Sequence, residues 1–267
     1  MPSHPAVVLL GLPTDEASSF ARGAAAGPAA LRRAFYSESS NLATEAGLDL
    51  ADEPRFSDLG DLELDGGEAT RSAIEAAIAE QLAAGGRVLS LGGDHSVAYP
   101  ILRAYGRHHP SLTVVQLDAH PDLYDSFEGD RFSHACPFAR VMEEGLAKRL
   151  VQIGIRTANE HQREQAERFG VEIVARRAWS DLAALELEPP VYLSIDLDAL
   201  DPAYAPGVAH PESGGLTSRE ALEVICHVSG LVGADVVELN PERDVGGVTA
   251  VLASKLVKEL TGRLLAG

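Results

Sequence analysis

Three short segments carry side chains that could bind cations. Gly92-Gly93-Asp94-His95-Ser96 offers a carboxylate beside an imidazole, and Asp118-Ala119-His120-Pro121-Asp122 sets two carboxylates around another. Asp196-Leu197-Asp198-Ala199-Leu200-Asp201-Pro202 adds further carboxylates. In extended backbone, residues two apart point the same way, so Asp118, His120 and Asp122 can converge, as can Asp196 and Asp198. With His95 this makes four carboxylates and two imidazoles. Packed without counterions, the carboxylates would repel one another and be forced to protonate. Two divalent cations bring +4 against the −4 of Asp118, Asp122, Asp196 and Asp198, so the residues predict a two-metal centre. Oxygen and nitrogen ligands without a thiolate disfavour structural zinc and suit Mn²⁺, with Co²⁺, Ni²⁺ or Fe²⁺ as alternatives. Asp94 is expected to brace its loop or a ligand histidine, and Asp201 to cap a turn.

These clusters need a scaffold that brings them together. Short apolar runs at 6–12, 87–91, 112–117, 150–155, 171–174, 191–195 and 234–239 are continuous rather than alternating, as in strands buried on both faces of a parallel sheet. Between them, 68–84, 96–108, 138–148, 160–169, 218–228 and 249–264 show helical spacing. Such alternation predicts a three-layer α/β/α sandwich with a mostly parallel sheet, in a single domain spanning 1–267. The acidic stretch 37–67 reads as loop. In such sheets ligands sit beyond the carboxyl ends of the strands, and each of the three segments directly follows an apolar run.

Composition narrows the partners. Twenty-two Lys and Arg stand against 40 Asp and Glu, a net charge of −18. Such a chain repels phosphate backbones and anionic lipid, which excludes nucleic acid and membrane as partners and favours cationic ligands. No apolar run approaches the roughly 20 residues a bilayer span needs. The first strand has no Lys or Arg ahead of it, so it does not read as a signal peptide. Cys136 and Cys226 make neither a disulfide framework nor a zinc site, and free thiols in a reducing cytoplasm are expected. Gly92-Gly93 lacks the further glycines or the lysine of a nucleotide-binding loop.

The three segments resemble the ureohydrolase (arginase/agmatinase) family, whose signatures are a Gly-Gly-Asp-His-Ser turn, an Asp-Ala-His-x-Asp loop and a Ser-x-Asp-x-Asp-x-x-Asp-Pro strand end. All three are complete. Residues 118–156, DAHPDLYDSFEGDRFSHACPFARVMEEGLAKRLVQIGIR, resemble the plant-type arginase branch, as do 204–216 (YAPGVAHPESGGL) and 233–244 (GADVVELNPERD). The likeness runs along nearly the whole chain. It implies two Mn²⁺ per subunit, bridged by Asp118 and Asp196. His95 and Asp122 would complete one metal, His120 and Asp198 the other, with a hydroxide between the ions. It also implies a homo-oligomer, a trimer or hexamer.

Guanidinium hydrolysis would use such a centre. A guanidinium is cationic and a poor electrophile, and a bound metal lowers the pKa of water from about 15.7 to about 7. Glu238, ending the last strand run, could accept two parallel N–H bonds from a planar guanidinium, and the resemblance places a substrate glutamate there. The leaving amine needs a proton, for which His134 is the candidate. His210 is expected at the mouth. Asp122, His134 and Glu238 are thus expected to carry catalysis, with His210 helping to bind substrate. The substrate is expected to be a cationic guanidino small molecule, arginine or agmatine, yielding urea and ornithine or putrescine. Animal-type arginases grip the substrate's α-carboxylate with an Asn and Ser/Thr cluster after the metal loop. Tyr124, Asp125, Ser126 and Phe127 stand there in this chain, which leaves another guanidino acid open. A related hydrolase of formimidoyl or acyl amides is the alternative, and the charge of Glu238 speaks against a neutral amide. A relative that has lost catalysis should lack ligands, and none is missing.

Overall fold

The computed structural model describes residues 6–174 and 185–267. Strand β1 (Val7–Leu12) is buried along its whole length, as its unbroken apolar sequence requires. Helix α1 (Gly27–Phe35), strand β2 (Phe56–Asp61), helix α2 (Gly67–Ala83), strand β3 (Arg87–Gly92) and helix α3 (Ala98–His108) follow. Then come β4 (Thr113–Leu117), α4 (Pro137–Glu143), β5 (Arg149–Ile153), α5 (Glu160–Phe169) and β6 (Glu172–Val174). The last elements are β7 (Val191–Asp196), α6 (Ser218–His227), β8 (Leu231–Val237) and α7 (Val248–Ala266).

The eight strands form one sheet in the order β2-β1-β3-β8-β7-β4-β5-β6. Every pair is parallel. Alternate residues of each strand feed two cores. Val191, Leu193 and Ile195 of β7 join Leu256, Leu260 of α7 and Ile225 of α6. Tyr192, on the other face, joins Ile74 and Ile78 of α2, Ile101 and Tyr105 of α3, and Phe138 of α4. The sandwich is therefore three-layered, and its sheet is parallel throughout.

Three features depart from the sequence reading. The stretch 37–67 contains β2, which pairs with β1 at the sheet edge. Its sequence FSDLGD alternates half-buried with exposed positions, so no apolar run announced it. Helix α1 was unforeseen as well: its buried Ala30, Leu31 and Phe35 pack beneath β1. Elsewhere the helical segments hold, with local signals at their ends. Asn159 and Gln162 form a capping box at α5, as do Thr217 and Glu220 at α6. The helix expected over 138–148 ends sooner, at Glu143. His4 and the rest of 1–5 lie outside the described residues.

The central strands β3, β8, β7 and β4 are neighbours, and their carboxyl ends share one rim. Register aligns Leu117 with Ile195, and Ile195 with Val236. Asp118, Asp196 and Glu238, each at or just past a strand end, are brought side by side by the sheet itself.

Candidate metal centre

Beneath the rim, His95 Nδ1 faces three carboxylates: Asp122 Oδ2 at 3.0 Å, Asp118 Oδ2 at 3.1 Å and Asp196 Oδ2 at 3.3 Å. It makes no directed hydrogen bond to any of them. Its other nitrogen explains why. Tyr192 OH and Ser194 Oγ both donate to Asp235, at 2.8 and 2.7 Å, so Ser194 turns its lone pairs to His95 Nε2 at 3.0 Å. Nε2 then carries the ring proton, and the bare Nδ1 points into three carboxylates. A lone pair among anions in a buried site needs a positive charge between them. With only a proton available, the same carboxylates overcome the burial that opposes imidazolium and raise the His95 pKa well above 6.5. A divalent cation meets that need better, and Nδ1 with carboxylate oxygens is a donor set that suits it.

A second group shares Asp118. His120 Nδ1 lies 3.0 Å from Asp198 Oδ2 and 3.6 Å from Asp118 Oδ1. Candidate ligand atoms thus gather in two overlapping sets, His95-Asp118-Asp122 and Asp118-His120-Asp198, with Asp118 common to both. Asp196 faces the first through Oδ2, while its Oδ1 accepts from Asp198 N at 2.8 Å. All six ligand candidates are brought to one place.

The carboxylates are held against their own repulsion. Asp118 accepts from Gln116 Nε2 at 2.7 Å and His120 N at 2.6 Å, and Asp198 accepts from Ala119 N at 3.1 Å. Gln152 in turn donates to Gln116 Oε1 at 2.6 Å. Burial and the Asp118 charge push Asp122 up to about 7. Burial, with Asp198 and Asp118 beside it, drives Asp196 well above the carboxylate range. Burial also raises Asp198. Asp118 goes the other way: the two histidines outweigh its burial and lower it. Three acids that resist ionisation around one that does not mark a site short of positive charge.

Glu238 and His134 lie beside this cluster. Glu238 Oε1 accepts from His95 N at 2.9 Å and sits 2.9 Å from His134 Nδ1. Burial opposes charge on either group, but their pairing outweighs it, lowering Glu238 and raising His134 to about 9. With both lone pairs of Oε1 engaged, Oε2 is the oxygen left for a ligand. Asp122 and Glu238 both adopt left-handed backbone, φ 51° and 66°. Each such non-glycine residue stores on the order of 1 kcal/mol of strain, of a kind found at working sites.

A cavity of about 230 Å³ opens above these groups, lined by His120, Asp122, Asp196, Asp198, His134 and Glu238. His210 lines it too, its ring centroid 5.3 Å from that of His134. Tyr124, Phe127, Thr157, Asn159, Gln162 and Ser19 also line it. Asn159 Nδ2 donates to Tyr124 OH at 2.8 Å, and His161 stacks on Tyr124. Sequence reading missed Ser19, Thr157, Asn159 and Gln162, as well as Ser194 and Asp235 under the histidine. The capping box was visible at Asn159, but not that it faces a cavity. Asp94 braces its loop as expected, accepting from Ala17 N at 3.0 Å and Ser96 N at 3.1 Å. Asp201 caps a turn, accepting from Ala203 N at 3.0 Å and Gly214 N at 2.7 Å. Both cysteines are free.

Gly93 shows how tightly the first segment is set. A Cβ there would lie 1.8 Å from the Thr14 carbonyl oxygen, a backbone atom that cannot swing aside. Gly93→Ala should therefore cost about 1–3 kcal/mol, as overpacking does. A lower melting temperature, with weaker metal uptake as His95 is displaced, is the expected result of thermal denaturation and metal analysis.

Relatives agree with the geometry. A family model described as the Arginase family matches residues 5–262. The chain is 43% identical over 277 aligned positions to arginase 1, mitochondrial, of Arabidopsis thaliana, covering 96% of this chain and 80% of that protein. It is 36% identical to an agmatinase of Bacillus anthracis, over 97% of this chain and 93% of the relative. The solved arginase from Medicago truncatula superposes with a TM-score of 0.91 at 40% identity, covering 98% of this chain and 88% of that one. A catalytic-type His/Asp cluster on this sheet and a family match along almost the whole length lead to one conclusion: the chain belongs to the arginase family and is a hydrolase of carbon–nitrogen bonds of the arginase/agmatinase type.

Proposed function

We propose that the protein is a binuclear manganese ureohydrolase that cleaves a linear guanidino substrate, arginine or agmatine, to urea and the corresponding amine. The observation that carries this reading is the placement of the anionic Glu238 in the same cavity as the two His/Asp groups. A carboxylate held ionised beside a cation site serves a substrate that is itself a cation. His95, Asp118 and Asp122 would hold one ion and Asp118, His120 and Asp198 the other, with Asp196 adding to the bridge. Bound there, two dications would supply hydroxide at neutral pH.

The rest falls to the chain's own side chains. Glu238 Oε2 accepts a guanidinium N–H and orients the carbon toward the cluster. His134, hydrogen-bonded to Glu238, is the group assigned to protonate the departing amine. His210 lines the cavity beside His134, with the Phe20 ring 5.8 Å from its own. Among the other lining residues, Asn159, Gln162 and Thr157 offer neutral hydrogen-bonding groups. Among the described residues no Lys or Arg lines the cavity, so the substrate's tail meets dipoles rather than a fixed positive charge. Relatives named both arginase and agmatinase match the chain, the plant arginases at the higher identity. The reading extends to a cytoplasmic homo-oligomer, on the resemblance and the free cysteines.

A urea assay over arginine, agmatine and other guanidino acids, with manganese loaded, tests it. Urea from arginine first and agmatine second is expected. Inactivity on every guanidino compound, with turnover of a formimidoyl or acyl amide instead, would overturn it.

A further inference from the structure

His134 is held at both ring nitrogens, and its second partner, Ser19, lies outside the three ligand segments. Nδ1 faces Glu238 Oε1 at 2.9 Å. At the other end, the backbone N–H of Ser19 donates to Nε2 at 3.2 Å, and Ser19 Oγ lies 2.9 Å from the same nitrogen. A hydroxyl can turn to offer either its proton or a lone pair. A backbone N–H cannot. Aimed at Nε2, it favours a lone pair there and opposes a proton, which would meet it head-on. The neutral imidazole has one proton to place, and this contact leaves Nδ1 to carry it.

The segment that delivers the N–H is anchored. Ala17 N donates to Asp94 Oδ2 at 3.0 Å and Ser18 Oγ to the same oxygen at 3.3 Å. His134 N donates back to Ala17 O at 3.2 Å. Farther along, Asn240 Nδ2 donates to Ala21 O at 2.8 Å, holding Ala21 in left-handed backbone at φ 45°. Ser19 is therefore tied at one side to the loop that carries His95 and at the other to the strand end that carries Glu238.

We propose that Ser19 is a positioning residue that fixes the tautomer of His134, keeping the proton of the neutral ring on Nδ1, directed at Glu238. The proposal rests on the catalytic part given to His134 above, but the proton's place can be read without any turnover. Neutron diffraction from the metal-loaded enzyme at alkaline pH, in crystals where the ring carries a single proton, shows it directly. Deuterium on Nδ1 alone is expected. Deuterium on Nε2 overturns the proposal, whether or not the enzyme makes urea.

Ser19→Ala keeps the N–H and loses the hydroxyl's share of the contact. A fall in kcat of about fivefold to tenfold with KM within about twofold is expected, the size of one neutral hydrogen bond. Ser19→Thr should restore kcat. Wild-type kcat in Ser19→Ala, or equal loss in Ser19→Thr, would show that the side chain does not position the ring.

Discussion

Asp118→Asn should abolish hydrolysis and strip the protein of metal at both positions together. The expectation follows from where Asp118 stands. Its Oδ2 lies 3.1 Å from His95 Nδ1 and its Oδ1 3.6 Å from His120 Nδ1, so one side chain serves both groups of candidate ligands. It is also the one carboxylate of the four whose ionisation the surroundings favour. Asparagine is nearly isosteric, so packing survives, but the charge common to the two groups is gone. Metal stabilisation of developing charge is worth several kcal/mol, so activity should drop about a thousandfold or more. Metal analysis after dialysis should find both ions lost. A conservative control is available on the second layer. Gln116→Glu would set a like charge against Asp118 Oδ2, now 2.7 Å from the amide, and should weaken binding without removing a ligand. An Asp118→Asn protein that retains two ions would show that the groups do not share this residue.

The ligand segments were legible before any coordinates because metal chemistry restricts residue types, and because each follows an apolar run that reads as a buried strand. The extended alternation expected to make them converge is not what does so: β4 ends at Leu117, a bend at 119–120 and the left-handed backbone of Asp122 follow, and Asp198 lies in the 3-10 turn Leu197–Ala199. The sheet order that makes β3, β8, β7 and β4 neighbours was not in the local pattern, since non-local pairing leaves no mark on a single run of residues. Nor was β2, whose polar alternation at a half-exposed edge resembles loop composition. The supporting layer was hidden for another reason. Ser194, Asp235 and Gln152 look like ordinary polar residues inside strands, and only burial reveals that their hydrogen bonds orient His95 and Asp118. Ser19 carries no signal at all, because a loop serine that offers a backbone N–H and a hydroxyl looks like any other in sequence. Glu238 was visible as a strand-end acid. Its left-handed backbone, which turns the side chain toward His95 N and His134, was not.

That geometry sets what Glu238→Gln should do. The carboxylate faces the cavity, where the proposed function makes it the anion for a cationic substrate, and it is the partner that raises His134 to about 9. Glutamine fills the same space and can still accept from His95 N and His134 Nδ1, so the fold and the metal groups should remain. A charged hydrogen bond contributes about 1.5–3 kcal/mol, and losing it to the guanidinium lowers kcat/KM by about a hundredfold. The pairing with His134 gives a separate readout. Without the negative charge, the burial that disfavours imidazolium is no longer offset, so the His134 pKa must fall from about 9. The protonated ring is then present only at lower pH, and any limb of the pH–rate profile that needs it moves to the acid side. A structural role alone would lower activity at every pH without moving that limb. Unchanged kcat/KM for guanidino substrates in Glu238→Gln would instead point to a neutral substrate, and to a site whose negative charge serves the metals rather than the molecule being cleaved.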